Sequence, residues 1–392
     1  MPESEPDHAP ARPAGPLPTA ELLRCGDAVD ITRALCDVPS VSGSESRLAD
    51  AIEAALEQAP HLRLLRYGNT IVARTELGRE RRVAIAGHLD TVPVNGNLPV
   101  RRETVGPAEA AADVPGTEPG EYLRGRGTVD MKAGVAVQLK LAFELREPAV
   151  DVSWIWYDNE EVDSERNGLG RLAAARPDLL RADFAILGEP SRGEVEGGCN
   201  GSLRADVRLR GRRAHSARAW TGVNAIHAAA GVLARLQAYE PETVRVDGLD
   251  YREGLNAVLV HGGVAANVVP DECVVHVNYR FAPSRSLAEA ERRLRDFFTG
   301  YECEVVDRAP GARPGLEAPA VREFLAAVSG RAHPKYGWTD VARFSALGVP
   351  AVNYGPGDPQ KAHADDERVP IAHIERVERG LRRYLSGRAG AA

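Results

Sequence analysis

Three short apolar runs, each followed by residues able to bind a cation, constrain this chain more than any other feature. Arg82–Ala86 leads into Gly87-His88-Leu89-Asp90. The run from Val150 to Tyr157 stops in Asp158-Asn159-Glu160-Glu161, and Ala182–Leu187 ends in Gly188-Glu189. Apolar runs of this length, separated by helical patterns such as Val135–Leu145, predict a largely parallel sheet in an α/β fold. In open α/β sheets a ligand binds at the carboxyl ends of the strands. His88, Glu160, Glu161 and Glu189 all fall at that edge.

The local chemistry at each end is specific. Neighbouring side chains on a strand point to opposite faces, so the adjacent Glu160 and Glu161 can do different jobs. His88 and Asp90, two apart, lie on one side. Asp90 can take the proton on the far ring nitrogen of His88 and aim the other nitrogen at a metal. Gly125-Arg126-Gly127-Thr128-Val129-Asp130 brings another acid to the start of a predicted helix, and His363 follows the strand 350–354 in a polar loop. Two histidines and three carboxylates make five donors. If one carboxylate is shared, each of two ions has three protein ligands and room for water, the pattern of an open catalytic site. Paired ions about 3.5–4 Å apart can clamp an attacking water and a carbonyl oxygen. The glutamate left unligated would take the water's proton. Nitrogen and oxygen donors without sulfur suit zinc, with cobalt or manganese as substitutes.

The remaining pattern predicts a helix over 21–41, a capping box at Ser42-x-x-Glu45 before an amphipathic helix, a hairpin around Gly68-Asn69, and a polar loop or insertion over 94–121 with room for a short hairpin. From Gly198 the pattern changes to alternating strands and helices of an α+β layer with an antiparallel sheet. Three regions are therefore expected: a disordered tail at 1–20, a discontinuous catalytic domain at 21–197 and 305–388, and an inserted smaller domain at 198–304. Asp158 is read only as a turn residue.

Composition excludes other classes. The net charge of −7 gives no support to nucleic-acid binding. No apolar run is long enough to span a membrane, and the N-terminal stretch lacks the apolar core of a signal peptide. Five scattered cysteines without CxxC spacing argue against disulfides and thiolate metal sites, and suit a cytoplasmic location.

Taken together, residues 87–93, 125–134, 158–161, 188–191 and 355–363 resemble the ordered motifs of the M20 family of dinuclear zinc peptidases and deacylases, a likeness running from about Leu22 to Leu385. The resemblance implies that Asp130 bridges two zinc ions, with Glu161 and His363 completing one site and His88 and Glu189 the other. It makes Glu160 the general base and Asp90 the residue that orients His88. It also gives the inserted domain a role in homodimer formation. Gly211–Ser216 is similar to the family motif whose histidine, here His215, reaches the partner's active site to stabilise an oxyanion. Asn267 and Arg280 lie in segments resembling those that bind substrate carboxylate, and Arg343 would be a further carboxylate clamp. Within the family the likeness is to the desuccinylases, on Trp338-Thr339-Asp340 and the run 159–162. It implies an N-acyl amino acid substrate and a place in diaminopimelate and lysine biosynthesis. One departure bears on the substrate: many desuccinylases have Arg-Arg-Gly-Ser where this chain has Cys199-Asn200-Gly201-Ser202. Sibling deacylases acting on N-acetylornithine or other N-acyl amino acids, carboxypeptidases and dipeptidases would keep the same ligand set, and a non-catalytic homologue is a further alternative.

Overall fold

A computed structural model describes residues 16–328 and 330–387; residues 1–15 of the expected tail lie outside it. The chain divides into two compact units, one of residues 1–195, 318–331 and 347–392, the other of 196–317 and 332–346.

In the first unit, six strands lie side by side in the order Arg63–Tyr67, Thr70–Arg74, Asp151–Tyr157, Arg82–His88, Phe184–Leu187, Ala351–Asn353. The first two form the expected hairpin, and Thr70–Arg74 runs antiparallel to Asp151–Tyr157. The other pairings are parallel, so the sheet is mostly parallel, as the apolar runs predict. Asp151–Tyr157 is buried at every position, which is why its sequence is a continuous apolar run rather than an alternation. Its first residue, Asp151, is anchored by Thr75 Oγ1 at 2.8 Å and by the amides of Leu77 and Arg79 at 2.9 and 3.0 Å. Register places the strand ends together: His88 lies opposite Tyr157, and Ala86 opposite Leu187. The residues that follow, Glu160, Glu161 and Glu189, therefore emerge at the same edge as His88.

The helix Lys132–Glu144 starts two residues after Asp130 and is buried along almost its whole length. It approaches the sheet edge closely at Gly134, where an added Cβ would sit 2.3 Å from the carbonyl oxygen of Gly188. A side chain there would push the helix away from the strand end carrying Glu189. Gly134→Ala should cost about 1–3 kcal/mol of stability, read as a lowered thermal midpoint. An unchanged midpoint would mean that the contact yields freely.

Two expectations change. The stretch 21–41 forms two helices, Ala20–Cys25 and Ala28–Cys36, because Gly26 closes the first on Leu22 and Asp27 caps the second through the Asp30 amide at 2.8 Å. The stretch 94–121 holds the paired strands that the short-hairpin alternative allowed, and adds a helix and a third strand to them. Arg101–Val105 and Gly120–Arg124 pair antiparallel, Pro107–Ala112 is helical, and Arg368–Pro370 adds a third strand. This small sheet brings Gly125-Arg126 beside Glu367.

The second unit holds a four-stranded antiparallel sheet in the order Gly254–Gly262, Glu272–Phe281, Gly201–Arg210, Glu302–Ala309. Leu203, Ala205, Val207, Val275 and Val277 bury one face against Ala229 and Val232 of helix Ala225–Gln237 and Leu294 of helix Leu287–Phe297. Each large apolar side chain so buried contributes about 1.5–3 kcal/mol. The expected boundary at 304 falls inside the strand Glu302–Ala309. Because that strand pairs with Gly201–Arg210, the unit runs on to Glu317, and it also takes Ala332–Ala346. Arg343 thus belongs to the second unit, not to the first as the sequence pattern suggested. At the edge of the sheet, Val258, Leu259 and Val260 are exposed, as are Ile226 and Leu233 of the helix.

Candidate metal and catalytic centre

The first unit gathers His88, Asp90, Asp130, Glu161, Glu189 and His363 into one cluster. His88 is almost wholly buried. Its Nδ1 lies 3.0 Å from the carbonyl oxygen of Asp90 and 3.5 Å from that residue's carboxylate. The other ring nitrogen, Nε2, lies 3.0 Å from Asp130 Oδ1 and 3.9 Å from Glu189 Oε1. His363 Nε2 lies 3.4 Å from Asp130 Oδ2 and 2.9 Å from Glu161 Oε1. Asp130 therefore stands between two imidazoles, with one carboxylate oxygen toward each. One donor atom each from His88, Asp130 and Glu161 fall within 4.8 Å of one another. A set of nitrogen and oxygen donors this compact, without sulfur, fits divalent cations.

The electrostatics follow from the pairing. Asp130 and Glu161 beside His363 raise its pKa to about 10. Burial opposes charge on His88, but Asp130 and Asp90 outweigh it and raise its pKa well above the usual value. Burial likewise opposes charge on Asp130, yet the two imidazoles hold its carboxyl far below the usual range. Burial, and then the neighbouring Asp130 charge, pushes Glu161 up.

Asp90 does more than the sequence suggested. Besides facing His88, its carboxylate accepts the amides of Glu160 at 2.9 Å and Glu161 at 3.0 Å, and the hydroxyl of Ser42 at 2.7 Å. One carboxylate thus ties the glutamate turn to the histidine strand. Glu160 is half-buried next to this anchor.

Two supports were not legible in the sequence. Glu45 makes no capping box: it stands at the N-cap of helix Ser46–Leu56 without a side-chain cap bond. Its buried Oε1 accepts the amides of Gly43 at 2.9 Å and Asn159 at 3.1 Å. Asn159 itself has φ 57°, a left-handed conformation that asparagine tolerates better than most residues, and its side chain bonds Asp158 at 2.6 Å and Arg166 at 3.1 Å. Asp158, read as a turn residue, is a buried anchor that also receives Thr70 Oγ1 at 2.9 Å and Arg171 at 2.7 Å. The turn bearing Glu160 and Glu161 is held from both ends. A lone Glu45, more than a hundred residues away, carries no local signal of this role.

The second unit holds the other candidates. His215 pairs with Val268 across a short two-stranded ladder, and the Ser216 amide bonds the carbonyl of Asn267 at 2.9 Å, so His215 and Asn267 are neighbours. The exposed His215 ring accepts the Ala217 amide at Nδ1, 3.1 Å away. That bond assigns the proton of the neutral ring to Nε2, leaving an N–H donor facing outward. Arg280 is partly buried and donates from Nε to Asn278 Oδ1 at 2.8 Å. Burial pulls its pKa down, and among the described residues no carboxylate pairs with it. Arg343 pairs with the buried Asp340 at 2.5 Å and lies over the Trp338 ring at 5.5 Å. Asn200, at the departure noted above, is buried and donates to the Arg252 carbonyl at 2.9 Å.

Comparison with known proteins agrees with this architecture. The profile of Peptidase family M20/M25/M40 matches residues 84–386. The chain is 43% identical to the succinyl-diaminopimelate desuccinylase of Corynebacterium glutamicum, over 94% of this chain and 98% of that protein. It is 52% identical to a Mycobacterium tuberculosis protein named for the same activity, over 92% and 99%. Among solved structures, a tripeptidase from Staphylococcus aureus shares the fold with a TM-score of 0.72, at 20% identity, over 92% of this chain and 98% of that one.

Proposed function

The chain belongs to peptidase family M20/M25/M40, and from that premise we propose that it is a zinc-dependent amidohydrolase. It removes the succinyl group from N-succinyl-LL-2,6-diaminopimelate, giving succinate and LL-2,6-diaminopimelate. The observation that carries the hydrolytic reading is Asp130, with one oxygen toward each of two imidazoles. The choice of substrate rests on the two relatives named for that activity.

In this reading Asp130 would be the shared ligand, Glu161 and His363 would complete one site, and His88 and Glu189 the other. The metal these nitrogen and oxygen donors would hold is zinc, with cobalt as a substitute. When bound, the ions supply Lewis-acid polarisation of the scissile carbonyl and an acidified water. Glu160 takes the proton of the attacking water and delivers it to the leaving amine as the carbon–nitrogen bond breaks. Asp90, bonded to the Glu160 and Glu161 amides, keeps base and ligand in step with His88. His215 gives its Nε2–H to the oxygen that gains charge. Asn267, Arg280 and Arg343 bind carboxylates of the substrate; the unpaired, partly buried guanidinium of Arg280 favours this assignment, since a cation so placed ordinarily has an acidic partner.

We read the molecule as a homodimer formed through the second unit, with His215 serving the partner's site. Support comes from the edge strand Gly254–Gly262, whose Val258, Leu259 and Val260 are exposed: an apolar edge invites pairing with a second copy. A Val258→Asp/Val260→Asp double variant should sediment as a monomer; a dimer that persists would place the interface elsewhere. We assign the protein to the cytoplasm. All five cysteines are free, and no helix among the described residues is long and apolar enough to cross a membrane.

Metal loading should be proton-linked. The metal-free site holds His363 protonated below about pH 10, and the His88 pKa is likewise raised, whereas both must be neutral to ligate. At pH 8, loading should therefore release about one proton from His363, and that release should shrink as pH rises past 10. Calorimetry in buffers of different ionisation enthalpy measures it; heats independent of buffer would contradict the assignment. Function itself is tested by succinate release from N-succinyl-LL-2,6-diaminopimelate, which should be lost on chelation and restored by zinc. Release that survives complete metal removal would overturn the proposal.

A further inference from the structure

We infer that the buried pair Arg126 and Glu367 is a positioning device that fixes Asp130 and His363 relative to one another and so sets the spacing of the cation centre. Glu367 is fully buried, and Arg126 only 4% exposed. Glu367 Oε1 accepts the amides of Val129 at 2.9 Å and Asp130 at 3.2 Å, while Oε2 accepts Arg126 at 2.7 Å. The guanidinium reaches three further carbonyls: Pro93 at 3.2 Å, Ala364 at 3.3 Å and His363 at 3.4 Å. The Gly125 amide closes the ring on the Glu367 carbonyl at 2.9 Å.

The carboxylate thus grips the backbone of Asp130, and its arginine partner grips the backbone of His363 and the segment that follows His88. Three stretches far apart in sequence, 88–93, 126–130 and 363–367, meet at one ion pair. A carboxylate whose two oxygens face both imidazoles must keep its backbone still to within a fraction of an ångström, because rotation toward one imidazole moves it from the other. His363 has φ 64°, so its backbone rests in a left-handed conformation that neighbouring contacts must maintain, and the Arg126 bond to its carbonyl is such a contact. Outer partners that hold ligands in place commonly affect metal affinity by about 10–100-fold when removed.

This inference rests on the metal reading proposed above, and the test separates the two. Glu367→Asp keeps the charge that neutralises Arg126 but shortens the reach, so it cannot hold the amides and the guanidinium together. Zinc affinity, measured on metal-free protein by competition with a chromophoric chelator, should fall about 10–100-fold, and the absorption bands of the cobalt-loaded variant should shift relative to the parent. Asp151→Asn, at the far end of a sheet strand, serves as a control for general destabilisation: it should lower the melting temperature and leave zinc affinity and cobalt bands unchanged. If Glu367→Asp fails to fold, Arg126→Lys, which loses the fork but keeps the charge, takes the same measurements. Affinity within threefold of the parent, with unchanged cobalt bands, overturns the inference. A parent that binds no ions overturns the metal reading, and this inference with it.

Discussion

Glu160→Gln should lose about 10²–10⁴-fold in kcat, the usual contribution of a positioned general acid–base group, while keeping its metal content. The separation is expected from the geometry. The turn is held through the backbone amide of Glu160 on Asp90, through Glu45 and Asp158, and none of these bonds involves the Glu160 carboxyl group. Glutamine matches the shape but cannot accept the water's proton. Metal analysis and a melting curve should match the parent, and KM should change little. Full turnover in a properly loaded variant would remove Glu160 from the mechanism. Lost metal would instead identify it as a ligand and exchange its role with Glu161.

His215→Ala should lower kcat by about 10²–10³-fold, as the loss of one oxyanion donor does, again without loss of metal. The neutral ring is poised as a donor by the Ala217 amide at Nδ1, so His215→Asn, which retains an N–H group, should recover part of the rate. If His215 acts across the proposed dimer, mixing Glu160→Gln with His215→Ala should restore activity. Random exchange in a symmetric dimer leaves about a quarter of sites with both native residues. A mixture no more active than its components would exclude action in trans.

The parts of the site that could be read from sequence are those that chemistry places at strand ends. His88, Glu161 and Glu189 each follow an apolar run, and parallel register alone brings them to one edge. Asp130 precedes a helix and His363 follows a strand, so their positions were also written locally. The supports were not, because each works through non-local bonds. Glu45 looked like a capping residue because Ser42-x-x-Glu45 has the right spacing, yet its carboxylate satisfies the Asn159 amide instead. Asp158 looked like a turn residue because nothing nearby in sequence announces Thr70 and Arg171 as its partners. The boundary at 304 failed for a similar reason: strand Glu302–Ala309 declares its sheet only by pairing with Gly201–Arg210. The reading of 94–121 as a loop or insertion left room for a short hairpin but not for the full sheet, because the strands are short and charged and the third, Arg368–Pro370, comes from far along the chain to pair with Gly120–Arg124.

The substrate is where sequence and structure meet least directly, since Asn200 stands where many desuccinylases have arginine and is instead buried against the Arg252 carbonyl. The central claim is therefore tested most directly by comparing kcat/KM for N-succinyl-LL-2,6-diaminopimelate with that for N-acetylornithine on the zinc-loaded protein. A site that recognises the extra carboxylates should favour the succinylated substrate by at least about 10²-fold, since unmet buried polar groups penalise the wrong ligand heavily. Equal values, or a preference for N-acetylornithine, would contradict the desuccinylase assignment while leaving the hydrolytic centre intact.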